Sequence, residues 1–392
     1  MPDSVAIRAP AFVRAEEQSA AIPWYIYSLL IASACDGVGG LWDVSWHMSI
    51  GRDSFWTPPH LLIQFCAVLG AVTCSIVILN TTFGNDRFMR VSSVSVLGFR
   101  GPLGVFVVMW GAAAMLISAP FDNWWHNAYG LDVKILSPPH ALLGLGAACI
   151  HLGGMLLILG RMNRADGYAR SRLGWLFLFA AGVILCDFMF FSIEYTITPF
   201  MHSAIFYRAV SIGVPFVMLA AAQASGKRWA ATTVAGVYTV FFLVEGVILR
   251  QFPAEPRLGP VYNKVTHYVF PFFPLLIIVA AFSLDVLRPY VRGWNKWLQA
   301  LVMGVVFLAV MIVVQWPFGT FLMSPASRNW FFGSGDLAYG WPPESSVVRH
   351  VFLNYEPSRA GFALGMALAL GCAILSTRLG FGWGRWMREV RR

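Results

Sequence analysis

Two stretches of this chain set carboxylates and imidazoles at matching intervals. The first runs Trp42-Asp43-Val44-Ser45-Trp46-His47, then Gly51-Arg52-Asp53, then Thr57-Pro58-Pro59-His60. The second runs Phe121-Asp122-Asn123-Trp124-Trp125-His126, then Gly130-Leu131-Asp132, then Ser137-Pro138-Pro139-His140. An Asp and a His four apart lie on one helix face, so Asp43 with His47, and Asp122 with His126, project together. Paired prolines fit the first turn of a helix, which puts His60 and His140 at the start of the next one. An antiparallel hairpin then returns that His to the Asp-His pair. One carboxylate and two imidazoles suit copper, zinc, iron or manganese, and the donor types do not choose among these. A His at a helix end can instead serve as a cap or hydrogen-bond the interface. Against that stands the repetition: these two frames hold half of the chain's 8 histidines. Packed as repeats, they form two sites or one shared centre.

Other polar groups fall around these frames. Asp36 lies seven residues before Asp43 on the same stripe, and Asp36, Asp53 and Asp132 are expected to stand behind the ligands and orient them. His151 follows His140 on the same face and reads as a hydrogen-bonded core histidine. Asp187, Glu194 and Glu245 fall inside apolar runs, where they can relay protons or line a cavity. The spacing of Asp187 and Glu194 repeats that of Asp36 and Asp43, which suggests a decayed third copy. His202, His267 and His350 have no matching frame and read as interfacial.

The elements that must position these residues are membrane helices. Of 392 residues, 58% are hydrophobic and 12% charged, about half the charge of an ordinary soluble domain. A helix crosses a bilayer with about 20 apolar residues, and ten runs qualify: 24–42, 58–80, 102–120, 138–160, 173–195, 205–224, 229–248, 267–286, 298–322 and 359–379. The predicted fold is an all-α polytopic transmembrane bundle. It comprises a segment 1–22, the duplicated hairpins at 23–160, a further bundle at 161–379 and a basic tail at 380–392. The net charge of +9 resides in short loops, which argues for membrane topology and against nucleic acid. Most Lys and Arg fall in alternate loops, including Arg161, Arg164, Lys227, Arg288 and Arg385. The positive-inside rule then puts both termini in the cytoplasm, in an inner (cytoplasmic) membrane, with both motifs near the outer face. No cleavable signal peptide is read at residues 1–22, and the first helix is expected to direct insertion. The aromatic loop 323–358 is expected to cap the outer end. The 6 cysteines fall in apolar runs and read as small core residues.

The first motif resembles that of the copper-binding transmembrane component of the copper membrane monooxygenases, the particulate methane and ammonia monooxygenase family. The resemblance is carried by Asp43, His47, Arg52, Asp53, Phe55, Trp56, Thr57, Pro58 and His60, some 20 residues with their flanking spans. It implies that Asp43, His47 and His60 bind copper within the membrane. It also implies oxidation of a small apolar substrate, further membrane subunits, and a quinol or protein reductant. In this chain the motif occurs twice, with one more residue between the histidines of the second copy. Outside that family, a transporter or metal-handling protein, or a non-catalytic scaffold subunit, fits the same composition.

Overall fold

The computed structural model describes residues 22–85, 89–90, 93–130 and 136–391. Its helices and one small hairpin follow in chain order. α1 spans Trp24–Ser49 and α2 Pro58–Phe83; a two-stranded hairpin, β1 Val94–Val96 and β2 Phe99–Gly101, leads to α3 Leu103–Tyr129 and α4 Pro138–Met162. Then come α5 Gly167–Phe191, the single turn α6 Ile193–Thr196, α7 Ala204–Ser225 and α8 Ala230–Leu249. After a long irregular stretch come α9 Ile277–Val291, α10 Lys296–Leu322, the short α11 Ser346–Asn354 and α12 Arg359–Met387.

The protein is thus an all-α bundle built to lie in a bilayer. Among the described residues, eight helices (α2, α3, α4, α5, α7, α8, α10 and α12) are long and apolar enough to cross. Two of the ten expected spans differ. The first is a 26-residue helix, but Asp36, Asp43 and three glycines interrupt its apolar run. The eighth, expected at 267–286, becomes helical only at Ile277 and runs for 15 residues. Pro271 and Pro274 cannot continue a helix, and other partners satisfy the backbone that precedes α9. The Ser49 hydroxyl accepts from the Val269 N–H at 2.7 Å, and the Ser45 hydroxyl donates to the Val269 carbonyl at 2.6 Å. Tyr238 and Gln315 side chains accept from the Leu275 and Leu276 amides at 3.0 and 2.9 Å. Irregular backbone at membrane depth persists where protein groups saturate it in this way.

Helices in lipid gain little from hydrophobic burial against each other, so close backbone approach through small residues matters more. α3 and α4 meet on such a seam. A Cβ added at Gly104 would stand 2.4 Å from the Gly153 carbonyl oxygen, and one at Gly111 would stand 2.5 Å from that of Gly146. The chain's direction alternates through these helices, so the connections at 50–57, 192–203, 250–276 and 323–358 gather at one end. There Tyr339 donates its O–H to the Ile50 carbonyl and accepts from the Arg257 amide at 2.8 Å. At that end, too, Glu356 accepts from the Ala204 amide at 2.6 Å. The other end is basic. Lys227 bonds Ser171 at 2.7 Å, Arg288 donates to the Lys227 carbonyl, and Arg388 to that of Gln223.

Candidate metal centre

The last turns of α1 carry Asp43 and His47, and the first turn of α2 carries His60. Gly51, at φ +83°, turns the chain out of α1, and the Trp46 indole N–H holds the returning loop by donating to the Arg52 carbonyl at 3.0 Å. Thr57 then sets the approach to α2. Its amide and its hydroxyl both donate to the Ser54 carbonyl, at 3.0 and 2.6 Å. Pro58 and Pro59 begin the helix, and His60 follows one residue on.

The side chains converge. His60 Nε2 lies 3.1 Å from Asp43 Oδ1 and 3.3 Å from Asp53 Oδ2. His47 Nε2 lies 3.7 Å from Asp43 Oδ2 and 3.5 Å from Asp53 Oδ2. One donor atom each from Asp43, His47 and His60 fits within 4.8 Å. Asp53, expected behind the imidazoles, faces the same two Nε2 atoms as Asp43. His60 Nδ1 is 2.9 Å from the Ser54 carbonyl. A carbonyl only accepts, so Nδ1 carries the hydrogen, and a neutral His60 directs its Nε2 lone pair at the two carboxylates. Asp43 Oδ1 is buried, and no hydrogen bond of good geometry reaches it. Lone pairs facing one another across 3 to 4 Å call for a cation, either a metal ion or a proton on the imidazole. A metal-ligating His commonly has its other ring N–H held by a backbone carbonyl, as here. His47 is the open member, with its side chain 46% exposed.

The second copy repeats the local arrangement with fewer groups in view. Asp122 and His126 end α3, and His140 stands in the first turn of α4. Asp122 Oδ1 lies 3.4 Å from His126 Nε2 and 3.6 Å from His140 Nε2. His126 Nδ1 is 3.0 Å from the Gly130 carbonyl, so this ring too has its outer nitrogen held by backbone. Asp132 lies outside the described residues. Asp122 thus pairs with both histidines of its own copy, and among the described residues the second trio does not draw within 4.8 Å as the first does.

A third group lies deeper, and the sequence marked its members separately without joining them. His151 Nδ1 is 2.6 Å from Asp187 Oδ2, and His151 Nε2 is 3.6 Å from Asp36 Oδ2. The imidazole, 1% exposed, bridges carboxylates from α1 and α5. Asp36 therefore belongs with His151 rather than beside Asp43 and His47. A carboxylate faces each ring nitrogen, and one donor atom from each of the three residues also fits within 4.8 Å, so this buried polar knot too is compact enough to hold an ion. Ser54 is the participant that residue types cannot announce, because it acts through its backbone; the Thr-Pro-Pro-His run beside it is the only hint. No known protein family, curated protein or solved structure matches this chain.

Proposed function

We propose that this protein binds a transition-metal ion in the membrane through Asp43, His47 and His60, with Asp53 as a fourth donor or a close anionic neighbour. The observation that carries this reading is the pairing of His60 Nδ1 with a backbone carbonyl, which leaves Nε2 free towards two carboxylates. The resemblance to the copper membrane monooxygenases selects copper. Bound there, copper supplies one-electron chemistry towards dioxygen, with a small apolar substrate drawn from the bilayer and electrons from a quinol or protein reductant. Asp43 and Asp53 balance the ion's charge, His60 is the rigid ligand, and the exposed His47 lies on the side through which small molecules reach the centre. Asp122, His126 and His140 form a second, looser site. Both sites lie near the outer face of an inner (cytoplasmic) membrane, with both termini cytoplasmic.

The test is elemental analysis of protein extracted in detergent from copper-replete cells. The wild type retains at least one copper per chain, and His47→Ala and His60→Ala lose most of it. Unchanged metal in both variants removes the site. Zinc as the sole retained metal removes the oxidative reading, because zinc has no redox chemistry.

A second reading is a transporter. It is favoured by the Asp36–His151–Asp187 knot, which lies about 10 Å further along α1 at the usual helical rise and offers polar groups on a path inward. Loss of ion uptake into proteoliposomes in His151→Leu, with metal content unchanged, would select it.

A further inference from the structure

Beside the metal centre, a cavity of about 690 Å³ lies between α1, α2 and α8. Four of its walls are aromatic: Trp42, Phe241, Phe252 and Tyr268. Its rim on α8 is Val240, Val244 and Ile248, exposed by 57%, 51% and 51%. These rim residues belong to a membrane-crossing helix, so the mouth opens towards acyl chains and not towards water.

One lining group is out of place in such a cavity. Glu245 is 7% exposed, and neither carboxyl oxygen has a hydrogen-bond partner. Other carboxylates at membrane depth find partners: Asp36 and Asp187 hold His151, and Asp285 accepts from the Thr232 amide and hydroxyl at 2.8 and 2.9 Å. A buried polar group without a partner is destabilising, and ionisable groups inside a bilayer tend to be there for function.

We propose that this cavity binds a membrane-dissolved molecule with an apolar, ring-bearing body and one hydroxyl group, held at Glu245. The volume is that of a small-ligand pocket. The aromatic walls suit a flat ring. A hydroxyl both donates and accepts, so it pairs with the carboxyl in either protonation state, whereas an ammonium needs the ionised form and must cross hydrocarbon as a charge. A plain acyl chain would fill the volume and leave Glu245 unpaired. The site stands without the metal reading, because none of the proposed metal ligands lines it.

The experiment is equilibrium binding of tritiated 2-naphthol, naphthalene and 1-naphthylmethylammonium to the full chain in lipid nanodiscs, with empty nanodiscs subtracted. The expected result is 2-naphthol binding about tenfold tighter than naphthalene, the worth of one hydrogen bond to a carboxyl. Glu245→Leu brings 2-naphthol down to the naphthalene level, raises the melting temperature and keeps the wild-type metal content. Val244→Trp, a change at the lipid-exposed rim, blocks 2-naphthol while leaving melting temperature and metal content unchanged. Equal binding of 2-naphthol and naphthalene, tighter binding of the ammonium, binding indifferent to Val244→Trp, or a Glu245→Leu protein less stable than wild type would each overturn the proposal. The metal reading fails on a different measurement, the metal content itself.

Discussion

The Ser54 carbonyl accepts from the Thr57 amide, the Thr57 hydroxyl and the His60 ring, at 3.0, 2.6 and 2.9 Å. It therefore fixes both where α2 begins and which nitrogen of His60 carries hydrogen. Thr57→Val removes the hydroxyl and leaves the amide bond. Outer partners of metal ligands are worth about 10–100-fold in affinity, and Thr57 acts one bond further out. The expected loss is at the low end, about tenfold, with metal stoichiometry unchanged, measured by competition against a chelator of known affinity. His60→Ala should lower the stoichiometry itself. Wild-type affinity in Thr57→Val would mean that the Ser54 carbonyl does not position the ring.

At the scale of elements, the two helix–loop–helix units differ in what covers them. Gly51 and Gly130 occupy the same place in the two copies, each at positive φ, +83° and +87°. Any Cβ there is strained, by about 1–3 kcal/mol. At Gly130 no described residue lies within 4 Å of such a Cβ, whereas a Cβ on Gly51 would meet the Tyr339 ring at 2.7 Å and Leu258 at 2.9 Å. Gly51→Ala must therefore displace the cap that Tyr339 forms over the Ile50 carbonyl, and Gly130→Ala need not. Gly51→Ala should cost more thermal stability in detergent than Gly130→Ala, and it should weaken metal retention at the first copy. Equal losses would show that the contact between loop 323–358 and the first motif is unimportant to the centre. The irregular backbone ahead of α9 belongs to the same cap. Through Ser45 and Ser49 it grips the very turns of α1 that carry Asp43 and His47.

For the molecule as a whole, the metal motifs share one end with the aromatic loops, and the other end is rich in Arg and Lys. The proposed orientation, with the basic end cytoplasmic, rests on the positive-inside rule. A membrane-impermeant thiol reagent applied to intact cells should label Phe55→Cys and should reach Tyr168→Cys only after permeabilisation. The reverse pattern would invert the molecule and place the centre on the reducing side. The two copies also make a prediction together. Asp43 and Asp122 each pair with the two histidines of their own copy, so ligand changes in separate copies should add. Sites without shared partners usually combine within about 0.3–0.5 kcal/mol. A double-mutant cycle on metal affinity with His47→Ala and His126→Ala measures this, and strong coupling would show one shared centre.

The sequence by itself determined whatever is local. Apolar runs read as helices because lipid leaves the backbone no other partner, and eight of the ten expected spans are helices of that kind. Asp43 with His47, and the Thr-Pro-Pro-His start of α2, are also local, since helical spacing and proline geometry decide them within a turn. Long-range partners were not legible. The run 267–286 is apolar enough for a span, yet its first half is not helical, and Ser45 and Ser49, 220 or more residues away, take the Val269 carbonyl and amide. Asp36 sits on the stripe of Asp43 and His47, but burial drives it to His151 of α4 and, through that ring, to Asp187 of α5. Tyr339 closes over Ile50 across 289 residues, and Glu245 becomes a cavity wall only because α8 packs against α1 and leaves space towards α2. Tertiary structure alone decided these, because which polar group meets which inside lipid depends on how the helices pack, and residue spacing within any one helix does not carry that information.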